Sequence, residues 1–188
     1  VEARKRKAIL LRQISLLRDK ESWCGETHVQ KACFFLQHLT KVRLDFDFIL
    51  YRYGPFSFRL RDELTELRAV GYLDLVTRVH PYGPSLVLTA RGEEVLNRRS
   101  ALIECFEEQM KFVAVRVGAK RVTDLERLAT ALYLTPTDEP GVKLEERASK
   151  LHRLKPHIPL QQARNAIETI DEWLREWAEA AHTGDARE

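Results

Sequence analysis

The sequence predicts a mostly α fold with a small antiparallel β-sheet, and three observations carry that prediction. Leu60, Leu64 and Leu67 fall at i, i+4 and i+7, which puts them on one face of a helix. Just before them, Phe46, Phe48 and Leu50 alternate with Asp47, Ile49 and Tyr51 in a near-period-2 run rich in aromatic and β-branched residues. Just after them, Leu73–Val79 and Leu86–Thr89 flank His80-Pro81-Tyr82-Gly83-Pro84-Ser85, a Pro/Gly-rich hairpin tip. A helix followed at once by a hairpin is the core of a winged helix-turn-helix. The expected organisation is a winged-helix domain over residues 1–99 and a C-terminal helical domain over 100–188. Residues 46–52, 73–79 and 86–89 are expected to form one antiparallel sheet on the helices 27–39 and 58–70.

The elements follow in order. Arg4-Lys5-Arg6-Lys7 opens an amphipathic helix that carries Ile9, Leu10, Ile14, Leu16 and Leu17 and ends near Asp19. Thr27 can cap a second helix with Val29, Cys33, Leu36 and Leu39 on its inner face. Gly54-Pro55 ends the alternating run, Ser57 is placed to cap the leucine helix, and Gly71 to close it in the left-handed conformation. Thr89 can cap a helix over 90–99, and Leu102, Phe106, Met110, Val113 and Val117 mark another up to Gly118. Thr123 and Glu126 have capping-box spacing. Two prolines place a loop at 135–141, a helix follows over 142–154, and Pro159 can start the last helix. Residues 182–188 are expected to fray.

Composition narrows the function classes. The chain has 188 residues, 44% hydrophobic and 31% charged, which is the balance of a globular protein rather than a disordered one. No apolar run reaches the ~18 residues of a membrane span, and no signal-type segment is present, so the cytoplasm is the expected compartment and no membrane the expected partner. Cys24, Cys33 and Cys105 lack C-x-x-C spacing and read as reduced thiols. The net charge of +3 divides into +6 over residues 1–99 and −3 over 100–188, so a polyanion is expected to meet the first half. Neither H-E-x-x-H, G-x-S-x-G nor a P-loop occurs, and Asp45 with Asp47 is too little for a catalytic pair, so neither an enzyme nor a cofactor or metal is expected.

The candidate contacts to duplex DNA are Ser57, Arg59, Arg61 and Thr65 on the leucine helix, Arg78, His80 and Tyr82 on the hairpin, and Arg4, Lys5, Arg6 and Lys7 as a phosphate-binding arm. Asp62, Glu63 and Glu66 share that helix, with Arg59–Glu63 as a possible i, i+4 pair, and they oppose simple DNA binding. The stripe Ile167, Ile170, Trp173, Leu174 and Trp177 is wide enough to suggest a homodimer interface.

Two motifs resemble known proteins. His28-Val29-Gln30-Lys31-Ala32-Cys33-Phe34-Phe35-Leu36-Gln37 followed by Tyr53-Gly54-Pro55-Phe56-Ser57 resembles the YwgA-like bacterial proteins, which carry an L-Q-K helix and a Y-G-P-Y-S segment leading into the next helix. The pattern is more distantly similar to the Panacea-type antitoxin domain, and Leu88 to Leu96 looks like the L-T-x-x-G-x-x-x-L exit of bacterial winged-helix regulators. The resemblance spans about residues 27–96. It implies a winged-helix-like fold and a role in regulation, antitoxin action or phage defence. One departure stands out: Lys41 to Tyr53 intervenes where a tight turn normally joins two helices. The first reading is therefore a DNA-binding regulator of transcription. The alternative is an adaptor or antitoxin that holds a partner protein.

Overall fold

The computed structural model describes residues 2–79, 83–135 and 142–185. The chain is mostly helical, as expected. Helix α1 (Ala3–Asp19) and helix α2 (Glu26–His38) come first, followed by strands β1 (Ile49–Tyr51) and β2 (Gly54–Phe56) and helix α3 (Phe58–Ala69). Strands β3 (Leu73–Val76) and β4 (Ser85–Leu88) lead into α4 (Ala90–Arg98), α5 (Ser100–Ile103) and α6 (Glu107–Val117). Helices α7 (Val122–Tyr133), α8 (Leu144–Leu154) and α9 (Leu160–Asp185) complete the described chain.

Local signals decide several boundaries. The Ser57 hydroxyl accepts from Leu60 N and the Thr89 hydroxyl from Gly92 N, so both residues cap their helices. Gly71 closes α3 at φ +73°. Leu60, Leu64 and Leu67 are all buried, each worth about 1.5–3 kcal/mol of removal from water. Other expected boundaries shift. Gly25, not Thr27, is the N-cap of α2. The expected helix over 100–117 is broken by a 3₁₀ turn at Glu104–Phe106. There is no capping box at Thr123: α7 starts two residues earlier, with Arg121 as its N-cap, and Glu126 is buried in an ion pair instead.

The strands differ from the expected single sheet. Among the described residues β1 pairs only with β2 (Ile49 opposite Phe56), and β3 only with β4 (Leu73 opposite Leu88). Two contacts explain this. The edge of β4 that would receive a third strand is taken by the loop before α2, since Leu86 N donates to the Cys24 carbonyl. The run from Val42 to Phe48 keeps its alternation, with Val42, Leu44 and Phe46 buried and Arg43, Asp45 and Asp47 exposed, yet makes no ladder. The Gln37 carboxamide takes a ladder's place there, donating to Phe46 O at 2.8 Å and accepting from Phe46 N at 3.0 Å.

The expected boundary at 99/100 does not separate two cores. A single cluster of buried residues runs from Ala8 through Phe35 and Leu60 to Met110, Leu125 and Trp173. Arg12 makes a bidentate pair with Glu107, and Trp173 meets Phe35 edge-on with centroids 5.8 Å apart. The stripe expected at a dimer interface is used inside this core. Ile167, Ile170 and Trp173 are buried, and Leu174 and Trp177 pack on the core, Trp177 against Phe112 at 5.0 Å. The apolar stripe of α9 therefore packs within its own chain, with Leu174 and Trp177 partly exposed.

Candidate functional site: a groove beside α3

Helix α2 is the element on which the surrounding backbone is hung. Its Gln30 carboxamide brackets Ser57, donating to the Ser57 carbonyl at 2.9 Å and accepting from its N–H at 3.0 Å. Lys31, 1% exposed, donates to the Pro55 carbonyl at 2.8 Å. Lys155 reaches the same hairpin from the chain before α9, donating to Tyr51 O at 3.0 Å and to Arg52 O. Between the two lysines lies buried Glu126, 3.0 Å from Lys155 Nζ and 3.4 Å from His157 Nε2. Burial pulls the Lys31 ammonium down to about 8, with Glu126 pushing it back up. Gly54, at φ +83°, sits so close that a Cβ would lie 3.2 Å from Thr130 Oγ1. The residues of the Q-K and Y-G-P motifs thus form a structural clamp that fixes the β1–β2 hairpin and the start of α3.

That clamp leaves one face of α3 looking into a groove of about 1170 Å³. Arg61, Leu64, Thr65 and Arg68 form one wall, with Leu75, Leu86 and Pro84 of the β3–β4 hairpin beside them. Trp23, Glu26 and His28 line the floor, and Gly118 to Arg121 of the turn between α6 and α7, with Val122 and Thr123 of the first turn of α7, line the far side. The base of the hairpin is pinned there: Ser85 Oγ donates to the Trp23 carbonyl at 2.6 Å, and the Arg78 guanidinium stacks 4.9 Å from the Trp23 ring. His28 donates from Nε2 to the Lys120 carbonyl at 2.9 Å, which ties the floor to the far side, and burial lowers its pKa.

The expected contact residues separate into three groups. Arg61 and Thr65 line the groove and are exposed. Arg59 lies outside it, exposed and donating to the Asp45 carbonyl at 3.1 Å, and Arg78 donates to Ser85 Oγ at 2.9 Å. His80 and Tyr82 fall outside the described residues. The remainder are corrections. Ser57 is fully buried and serves as a cap. Arg4 to Lys7 is the first turns of α1 rather than an arm. Buried Arg6 pairs with Glu63 at 2.8 Å, Lys7 pairs with Glu66 at 3.0 Å, and Lys5 sits 4.5 Å from the Phe106 ring centroid. Glu63 is therefore neither on the outer face of α3 nor the partner of Arg59. Its pairing with Arg6 also removes one acid from the face that was expected to repel phosphate.

No protein-family model matches the chain, and no curated protein matches it. The groove therefore rests on its own residues. Arg68, on the outer side of the leucine helix, and Arg121 are not among the contact residues expected from the sequence. Both are exposed side chains on its lining, and Arg121 lies where a short basic signal could have been read, the Lys120-Arg121 pair directly after Gly118-Ala119. The acids on the lining are Glu21 and Glu26. Arg61 touches Asp62 only at 3.4 Å and lies 5.1 Å from the Phe58 ring, which leaves its guanidinium available to an incoming anion. The buried thiols are unsuited to reaction: burial pushes Cys24 up to about 12 and raises Cys33 as well. Among the described residues no cluster of His, Cys, Asp and Glu could hold a metal ion, and no helix is long and apolar enough to cross a membrane.

Proposed function

We propose that this protein is a DNA-binding regulator that holds nucleic acid along the α3 groove. The observation that carries the reading is the convergence of Arg61, Arg68 and Arg121, from α3 and from the turn before α7, on one open groove. Guanidinium groups lining a groove neutralise phosphates and release counterions, which is the main source of affinity for a polyanion. The order of α3, β3 and β4 supports a winged-helix origin for this face, and so does the resemblance of the Q-K and Y-G-P segments to YwgA-like proteins. Docking is not that of a recognition helix inserted in a major groove, because the face of α3 that bears Arg61 and Arg68 is itself one wall of a cleft.

The second reading, a protein-binding adaptor or antitoxin, draws on the exposed acids Asp62 and Glu66 of α3. A mobility-shift titration at low salt separates the two. The regulator reading expects a shifted DNA band that weakens in Arg68→Ala and in Arg121→Ala. No shift at low salt, or a shift unaffected by both substitutions, would remove nucleic acid from this groove.

A further inference from the structure

We infer that the ligand of this face is single-stranded DNA rather than duplex. The inference rests on the nucleic-acid reading above and adds to it a stacking platform. At the end of the groove marked by Arg61, three aromatic side chains from the β1–β2 hairpin and the start of α3 gather at the surface. Tyr51 lies 5.7 Å from Phe56 and 5.8 Å from Phe58, and Phe56 lies 5.2 Å from Phe58, all measured between ring centroids. Tyr51 is 53% exposed and Phe58 42%. Exposed aromatic rings in a cluster are costly on a soluble surface unless they have an occupant.

The surroundings of the rings identify the occupant by its chemistry. Arg61 stands 5.1 Å from the Phe58 centroid, so it joins the platform to the groove. Arg52 stands 5.6 Å from the ring of Tyr53, itself exposed and part of the groove lining. Aromatic faces interleaved with guanidinium groups suit unstacked bases threaded on a phosphate backbone: the rings take the bases and the arginines take the phosphates. Duplex DNA suits these rings less well, because its bases are already stacked on each other and a ring must unstack a base step, at a cost in free energy, before it can lie against a base face. Phenylalanine carries no donor for a base edge either. The platform is rigid for a structural reason. Lys31 and Lys155 hold the carbonyls of Tyr51, Arg52 and Pro55, and Gln30 holds Ser57, so the rings are positioned before any ligand arrives.

Fluorescence anisotropy on the full chain tests this. The probes are an oligothymidine of about 15 nucleotides, a duplex of the same length, and the corresponding oligouridine. The expected result is binding of the DNA single strand at least about ten-fold tighter than the duplex. Tyr51→Ala and Phe58→Ala should each weaken it on the order of ten-fold, while Tyr51→Phe and Phe58→Tyr, which keep the rings, retain it. Circular dichroism of each variant establishes that the helices are intact, and the ring-retaining pair keeps the test valid if an alanine variant fails to fold. Duplex bound as tightly as single strand, oligouridine bound more tightly than oligothymidine, or unchanged affinity in folded Tyr51→Ala and Phe58→Ala would each overturn the inference. Binding of duplex alone would leave the groove reading standing and remove the platform. Binding of no probe would remove both.

Discussion

Replacing Glu126 by glutamine should be among the most damaging single changes of shape-conserving type in this protein. The carboxylate is the shared counter-charge of two buried lysines, Lys31 and Lys155, whose ammonium groups hold the hairpin carbonyls. At the 3.0 Å separation from Lys155, an ion pair in a medium of effective dielectric ~20 attracts by about 5 kcal/mol. The desolvation of the two lysine ammonium groups is incurred on folding whether or not residue 126 carries a charge. Glu126→Gln therefore leaves buried charge uncompensated and is expected to cost about 3–5 kcal/mol at pH 7. The loss has a sign in pH. Burial already lowers Lys31 to about 8 in the folded chain, below its ordinary value near 10.5, and the loss of Glu126 lowers it further. At pH 7 the native protein pays for the lowered value in the variant more than in the wild type. By pH 9, above its folded value of about 8, Lys31 is mostly neutral in both folded forms, and its share of the difference largely vanishes. Urea unfolding at pH 7 and pH 9 measures this. A loss below about 1 kcal/mol at pH 7, or a loss that grows with pH, would refute the argument.

Three further outcomes follow from named contacts. Ser57→Ala should lower stability by about 1 kcal/mol through the lost cap on α3, seen as a lower urea midpoint, while leaving nucleic-acid affinity unchanged. Gly54→Ala should cost about 1–3 kcal/mol, since φ is +83° and the added methyl meets Thr130 Oγ1 at 3.2 Å; thermal unfolding reads it. Trp173→Ala should cost about 3–5 kcal/mol as a core cavity, with the sedimenting mass unchanged from the wild type because the ring packs on Phe35 within its own chain.

What the sequence made legible was local. Ser57, Thr89 and Gly71 act within a turn of their own positions, and each could be assigned from residue type and spacing. The leucine face of α3 was legible for the same reason. Interactions that cross the chain were not. Arg6 meets Glu63 across 57 residues, so a basic run that looks like an arm in sequence is partly internal in the fold. Val42 to Phe48 has the period of a strand because alternate side chains are buried, but pairing needs a neighbouring backbone, and a glutamine side chain stands there instead. Glu126 has capping-box spacing and a different use, because two lysines approach it from elsewhere. The wide stripe on α9 was correctly apolar; it packs on α7 and α8 of the same chain, with Trp173 and Trp177 reaching Phe35 of α2 and Phe112 of α6. The groove was half legible. Arg61 and Thr65 belong to the helix that periodicity picked out, whereas Arg121 comes from the acidic half, where average charge hid a local basic turn.

The salt dependence of binding tests the central claim most directly. Each phosphate contact on a single strand contributes about 0.7 to the slope of log affinity against log salt. If Arg61, Arg68 and Arg121 hold phosphates in the groove, the triple alanine variant should bind oligothymidine with a slope shallower by about 2 than the wild type. A wild type that binds with no salt dependence, or a triple variant with the same slope, would contradict the account.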